Sequence, residues 1–357
     1  MNEYSPAFRM ILEELGHEVI MPLRPSKRTL TLGSSFGPEF ACIPLKILLG
    51  TYLEAIEKGA NLIVTSGGVG PCRAGLYASM HKEILRSLGH DIDMVVFEPI
   101  RHKPLDLLKS VHRLNVARLM PWQLFDLLYR AWQMISYLDQ LEHLLHWTRP
   151  RELKPGTADA IYRAGVDSLC KERSLKGITS RGRQAVAEMK AIPIDKDADP
   201  LKIGIVGEIY VVIEPAANLD IERILGELGV EVHRSIFLTG WTKENVVKEG
   251  HRVKAGMVAR PYLGEMVGGH GQESIGHTIL YAREGLDGVV QLAPFTCIPE
   301  IVAKSILPAV SRDFDIPVIS FFLDEQTGEA GFRTRLEAFV DLLARRRSRK
   351  RQEKQPA

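Results

Sequence analysis

Three of the four cysteines share one local setting. Cys42 stands in Glu39-Phe40-Ala41-Cys42-Ile43-Pro44, just ahead of a helix expected at about 44–58. Cys72 stands in Gly67-Gly68-Val69-Gly70-Pro71-Cys72-Arg73, between a strand expected at 62–65 and a helix at about 73–88. Cys297 stands in Pro294-Phe295-Thr296-Cys297-Ile298-Pro299-Glu300, between a strand at 288–292 and a helix at 299–313. A thiol just before a helix faces unpaired backbone N–H groups and the positive end of the helix dipole, and both favour the thiolate. Three thiolates converging at strand ends suit a soft metal or an iron–sulfur cluster. No Cys-x-x-Cys occurs, so spacing alone leaves metal ligation and independent buried thiols both open. Cys170 lies inside a helical pattern and reads as a packed or surface thiol.

Other groups invite weaker expectations. Gly67-Gly68-Val69-Gly70 could cradle a phosphate at a helix start, or let backbone approach a bulky cluster. Arg73 beside it offers charge to a cluster or a phosphate, or pairs with a surface acid. In Gly268-Gly269-His270-Gly271-Gln272-Glu273-Ser274-Ile275-Gly276-His277, His270 could donate or carry a proton, whereas His277 reads as a helix-face residue. Glu273 and Ser274 read as helix-start residues. Asp324 to Glu329 could hold Mg²⁺ or simply favour a helix start. Glu208 and Glu214 flank a short apolar run at a strand end, with no assignable role.

The elements that must position these groups alternate between strand and helix. A helix is expected at 7–16, a strand over His17–Met21, and further strands at 62–65 and 94–97. Over 104–190 strand signals vanish and Leu, Phe, Trp and Ile recur at helical spacing. From Leu201 the alternation resumes, with strands at 202–207, 230–236, 288–292 and 317–321. The expected fold is α/β: two doubly wound, flavodoxin-like parallel-sheet domains with a helical insert between them. Its expected bounds are 1–103 for the first α/β domain, 104–200 for the insert and linker, 201–345 for the second domain, and 346–357 for a basic disordered tail.

The chain has 357 residues, 45% hydrophobic and 25% charged, with net charge +2. That excludes a disordered or fibrous chain and gives no electrostatic case for nucleic-acid binding. The N-terminus carries no secretory pattern and no apolar run reaches the ~20 residues of a membrane helix, so a cytoplasmic protein without a membrane partner is expected.

The segments around Cys42, Cys72 and Cys297, together with Gly328-Glu329-Ala330-Gly331-Phe332-Arg333-Thr334-Arg335-Leu336-Glu337-Ala338-Phe339, recur in a known family. The chain resembles the acyl-CoA dehydratase activase-related proteins, within the wider group of 2-hydroxyacyl-CoA dehydratase subunits, benzoyl-CoA reductase subunits and double-cubane cluster proteins. The resemblance spans about residues 7–343 and is weak in the helical insert. It implies a [4Fe-4S] cluster held by Cys42, Cys72 and Cys297 with one iron open, or a double cubane, [8Fe-9S]. A separate ATP-hydrolysing activase of actin-like fold is implied as electron donor, with a paralogous subunit or a second copy as a further partner. The chemistry implied is one-electron: dehydration of a 2-hydroxyacyl-CoA, or reduction of a small unsaturated molecule. Against the family pattern the first strand is missing, so the sequence is expected to start inside the natural domain. Neither an Asp-Gly-rich phosphate hairpin nor a P-loop occurs, so the expected role is cluster carrier and not ATPase. The competing readings are a non-catalytic iron–sulfur scaffold or regulatory partner, and a zinc–thiolate protein with water or His270 as fourth ligand.

Overall fold

A computed structural model describes residues 4–67, 72–97, 104–247 and 251–354. The chain opens with α1 (Ser5–Glu14), and Gly16, in the left-handed region at φ +98°, turns it away. Residues 17–21, expected as a strand, belong to none. There the chain runs along a later helix, with His17 Nε2 2.8 Å from the Leu114 carbonyl, and so has no strand beside it to pair with.

Next come α2 (Lys27–Phe36) and α3 (Ile43–Glu57). Ser26 caps α2 through a reciprocal bond with Thr29. The two helices cross at glycines. A Cβ on Gly33 would stand 1.7 Å from the Lys46 carbonyl oxygen, and one on Gly50 1.9 Å from that of Thr29. Only a residue without Cβ permits that approach. Strand β1 (Leu62–Ser66) pairs in parallel with β2 (Asp93–Phe97), and α4 (Tyr77–Ser87), entered through a short 3-10 turn at Arg73–Leu76, joins them.

Helices α5 (Pro104–Leu114), α6 (Pro121–Thr148), α7 (Thr157–Cys170) and α8 (Leu175–Lys190) fill the segment where helical spacing was read. Leu127, Met134, Leu138, Leu141 and Leu145 give the 28-residue α6 a buried stripe at helical spacing. Through it α6 joins the core that also holds Met10, Leu169, Ile178 and Ile205.

Four parallel strands follow, β3 (Leu201–Gly207), β4 (Val230–Arg234), β5 (Gly288–Pro294) and β6 (Val318–Leu323), in the order β4-β3-β5-β6. Every residue of β5 is buried, as in a sheet covered on both faces. Helices α9 (Ile209–Ile213), α10 (Ile221–Glu227), α11 (Leu238–Val247), α12 (His251–Ala259), α13 (Gly271–Arg283) and α14 (Ile298–Asp313) connect and cover these strands. The molecule is thus α/β, with parallel sheets of two and four strands and a helical part between them in sequence. The winding direction reverses between β3 and β5, so the crevice that such sheets offer to ligands opens beyond the ends of these two strands.

The last helix, α15 (Glu329–Lys354), continues through residues 346–354, which were expected to be a disordered tail. Its basic face has partners. Arg346 and Lys350 pair with Asp315, while Arg347 and Arg351 pair with Asp199. Arg347 also approaches Asp287 at 3.7 Å. These aspartates precede β3, β5 and β6, so the helix closes over the amino edge of the sheet.

Candidate metal centre

Each of the three cysteines singled out by sequence occupies the residue before a helical turn. Cys42 precedes α3, Cys297 precedes α14, and Cys72 precedes the 3-10 turn into α4, all with extended backbone. Pro44 and Pro299 then sit in the first helical turn, where a missing N–H costs no hydrogen bond.

Arg73 brings the three loops together. Its guanidinium donates to the Phe40 carbonyl at 3.1 Å, to the Thr296 carbonyl at 2.6 Å and to Thr296 Oγ1 at 2.9 Å. Thr296 Oγ1 in turn donates to the Phe40 carbonyl at 3.2 Å. The neighbour of Cys72 therefore ties the loop of Cys42 to the loop of Cys297. Thr296 holds a left-handed φ of +68°, a strained state for a β-branched residue, and these bonds oppose its relaxation. Nearby, the buried Lys46 ammonium donates to Glu325 at 2.5 Å and to the Glu39 carbonyl at 3.0 Å, a second tie between the first and last thirds of the chain.

Cys42 and Cys297 are buried and Cys72 is half-buried. Burial pushes the Cys42 thiol up, against the lowering effect of a 2.6 Å contact with Tyr77 Oη and of Arg73. Burial likewise raises Cys297, and the charge of Cys72 adds to the rise at both. At Cys42 and Cys297 desolvation thus outweighs the helix-start effect that favours the thiolate. A thiolate here needs a compensating cation, and metal binding would release the thiol protons. Among the described residues the three sulfurs do not all lie within 4.8 Å of one another. Thiolates around a single zinc ion stand about 4 Å apart. Among the described residues the three sulfurs are therefore not assembled around a single ion.

Two carboxyls near the thiols, one half-buried and one buried, went unassigned in the sequence. Glu208, at the end of β3, accepts the Val211 N–H at 3.1 Å, and burial raises its carboxyl to about 7. Glu300, fully buried, accepts Ser274 Oγ at 3.0 Å and Gln291 Nε2 at 2.8 Å; burial raises it too, to about 7. The charges of Cys42 and Cys297 both feel Glu208. An acid three residues after Cys297 was the available signal for Glu300; nothing local marks Tyr77.

The remaining candidates fall elsewhere. Cys170 closes α7 away from this centre, and burial raises its thiol to about 11. Gly67 donates to the Phe97 carbonyl, while Gly68, Val69 and Gly70 lie outside the described residues. Arg73 is committed to the Phe40 and Thr296 carbonyls and to Thr296 Oγ1, and among the described residues it makes no ion pair with an acid. His270 and His277 line a separate cavity of about 410 Å³ with His143, Phe237 and Trp241. The glycines flanking His270 serve contact: a Cβ on Gly269 would meet Pro299 Cγ at 3.0 Å and one on Gly271 the Pro299 carbonyl oxygen at 2.3 Å, so this loop presses on the turn after Cys297. Ser274 bonds Glu300 in addition to standing near a helix start. Asp324 accepts the Gln326 N–H and Thr327 Oγ1, and Glu325 is held by Lys46. Those bonds favour structural roles over Mg²⁺ binding. Glu214 is buried at the end of α9.

Glu142, His146 and Glu222 do bring ligand atoms within 4.8 Å of one another. Their cation is internal: Arg234 Nη1 donates to Glu142 at 2.7 Å and to Glu222 at 2.9 Å. Burial alone would raise the Glu222 carboxyl, yet Arg234 and His146 hold it down at about 2.

Set against known proteins, the chain matches no family model and no curated protein. No described helix is long and apolar enough to cross a membrane.

Proposed function

We propose that the chain is an iron–sulfur protein of the 2-hydroxyacyl-CoA dehydratase-like group, with Cys42, Cys72 and Cys297 as the cluster ligands. The observation that carries this reading is the Arg73 tie, which gathers three separate cysteine loops at one place. The donor chemistry is compatible with it: three cysteine sulfurs are soft ligands. Bound there, a cluster with an iron left open by thiolate supplies a one-electron couple and a place for substrate to meet iron.

The chain's own residues have definable parts in this reading. The three thiols lose their protons to become ligands. Tyr77 Oη hydrogen-bonds the Cys42 sulfur, which tunes a ligand's electron density. Glu208 and Glu300 hold carboxyls that titrate near neutral pH beside the thiols, placed to balance charge when an electron arrives. Phe40, Leu76, Phe295 and Ile298 form exposed apolar residues on the same three loops, suited to keep water from the site once a partner covers them. The electron donor proposed is a separate ATP-hydrolysing activase. The substrate proposed is a 2-hydroxyacyl-CoA or a small unsaturated molecule, on the resemblance of the cysteine segments alone.

Anaerobic purification with iron and acid-labile sulfide analysis and an absorption spectrum tests this. A brown protein with about four or eight irons per chain is expected. Cys42→Ala, Cys72→Ala and Cys297→Ala should each lose the colour, and Cys170→Ala should keep it. A colourless chain that also fails anaerobic reconstitution overturns the proposal.

A further inference from the structure

Strand β4 lies at the edge of the four-stranded sheet. In its parallel ladder with β3, the Ser235 N–H donates to the Ile205 carbonyl at 3.0 Å, and Val232 and Arg234 stand opposite Ile203 and Ile205. Backbone groups of alternate residues point to opposite sides of a strand, so those of Val232 and Arg234 point away from β3. Among the described residues, the N–H and C=O groups of these two find no backbone partner on that side. Yet both residues are buried, at 5% and 6% exposure. Buried backbone groups without partners are rare. Val232 and Arg234 also line the cavity of about 410 Å³, which has Trp147 of α6 and Tyr281 of α13 on its walls.

We infer that this cavity binds an extended peptide segment, which adds a strand to the free edge of β4. Pairing with both residues takes about four residues of peptide, ~13 Å long, and supplies the missing bonds. Such a ligand can displace water from the cavity, because its main-chain amides offer the same donors and acceptors. Strand β4 reads Val230-Glu231-Val232-His233-Arg234, without the proline or lysine that commonly blunts an edge. Charge selects a basic segment. The Glu284 carboxylate lines the cavity and makes no ion pair among the described residues. The cations beside it are already held, Arg151 by Glu231 and Arg234 by Glu142 and Glu222. Peptide binding here is independent of what the cysteine loops hold.

Tryptophan fluorescence of the full chain tests this, since Trp147 and Trp241 both line the cavity. The probe is an acetylated, amidated hexapeptide of alternating lysine and valine, and saturable binding is expected. Two further versions carry N-methyl groups on the backbone nitrogens of the lysines or of the valines. A strand edge pairs with alternate residues only, so one version should lose about tenfold or more in affinity and the other keep it. A glutamate–valine peptide should bind severalfold more weakly, as should the parent peptide to Glu284→Lys. In hydrogen exchange on the wild type, the peptide should slow the Val232 and Arg234 amides about tenfold or more. Absence of saturable binding overturns the inference. So does equal affinity of the two methylated versions, a glutamate–valine peptide that binds as tightly as the parent, or protection that falls elsewhere in the chain.

Discussion

Glu231 shows how single residues on β4 tie pH to stability. Burial alone would raise its carboxyl, but His233 at 2.7 Å and Arg151 at 2.5 Å hold it down at about 2. A carboxyl lowered in the folded state contributes stability above its unfolded value of ~4.3, and that contribution is lost as pH falls toward 2. Urea denaturation at pH 6 and pH 3 should therefore differ, with about 1–2 kcal/mol of the difference removed in Glu231→Gln. Arg73 gives a second expectation at this scale. Arg73→Met removes three bonds between the cysteine loops and leaves strained Thr296 with only its bond to Phe40. Iron content after anaerobic reconstitution should drop severalfold, with stability changed by only about 1–3 kcal/mol. Full iron loading in Arg73→Met would separate the tie from the ligands. The cysteines were legible in the sequence because each sits in a recognisable strand–turn–helix setting. Arg73's actual partners were not, because Phe40 and Thr296 lie far from it in sequence and are engaged largely through backbone oxygens that side-chain chemistry does not announce.

Helices α2 and α3 place Cys42, and their crossing depends on Gly33 and Gly50. Gly50→Ala puts a methyl into the Thr29 carbonyl, a backbone group that cannot rotate aside. It should cost about 1–3 kcal/mol by chemical denaturation and weaken cluster loading in parallel, since α3 carries Cys42 at its start. Elements with strong periodicity were read within a few residues: β3, β5, α13 and α14 all occur where apolar patterning put them. The run His17–Met21 was misread because an apolar alternation specifies a strand only when a neighbouring strand can pair with it. Here the neighbour is the end of α5. The tail was misread for a related reason. Six cations in 345–351 resemble a solvated run until Asp199, Asp287 and Asp315 are seen to converge from three separate strand entries.

Across the whole molecule two kinds of ionic joint hold the parts together, and they should respond differently. The α15 pairs are exposed, so each contributes about 0–1 kcal/mol and is screened by salt. Lys350→Gln should barely move the melting temperature. The Arg234 pairs with Glu142 and Glu222 are buried between α6, α10 and β4. Removing the cation alone strands two carboxylates, so Arg234→Met should destabilise the fold by about 3–5 kcal/mol, read by calorimetry, with little response to salt. The sequence could not foretell this joint because its members come from three elements and none carries a motif.

The tie between Arg73 and Thr296 spans 223 residues. A ribosome adding ~5–20 residues per second delivers the third thiol on the order of 10–50 s after the second. In the proposed reading, the nascent chain would carry two of the three ligands, Cys42 and Cys72, without the third during that interval. Under that proposal, iron and sulfide could complete the centre only once Cys297 has been made and the loop after β5 has formed.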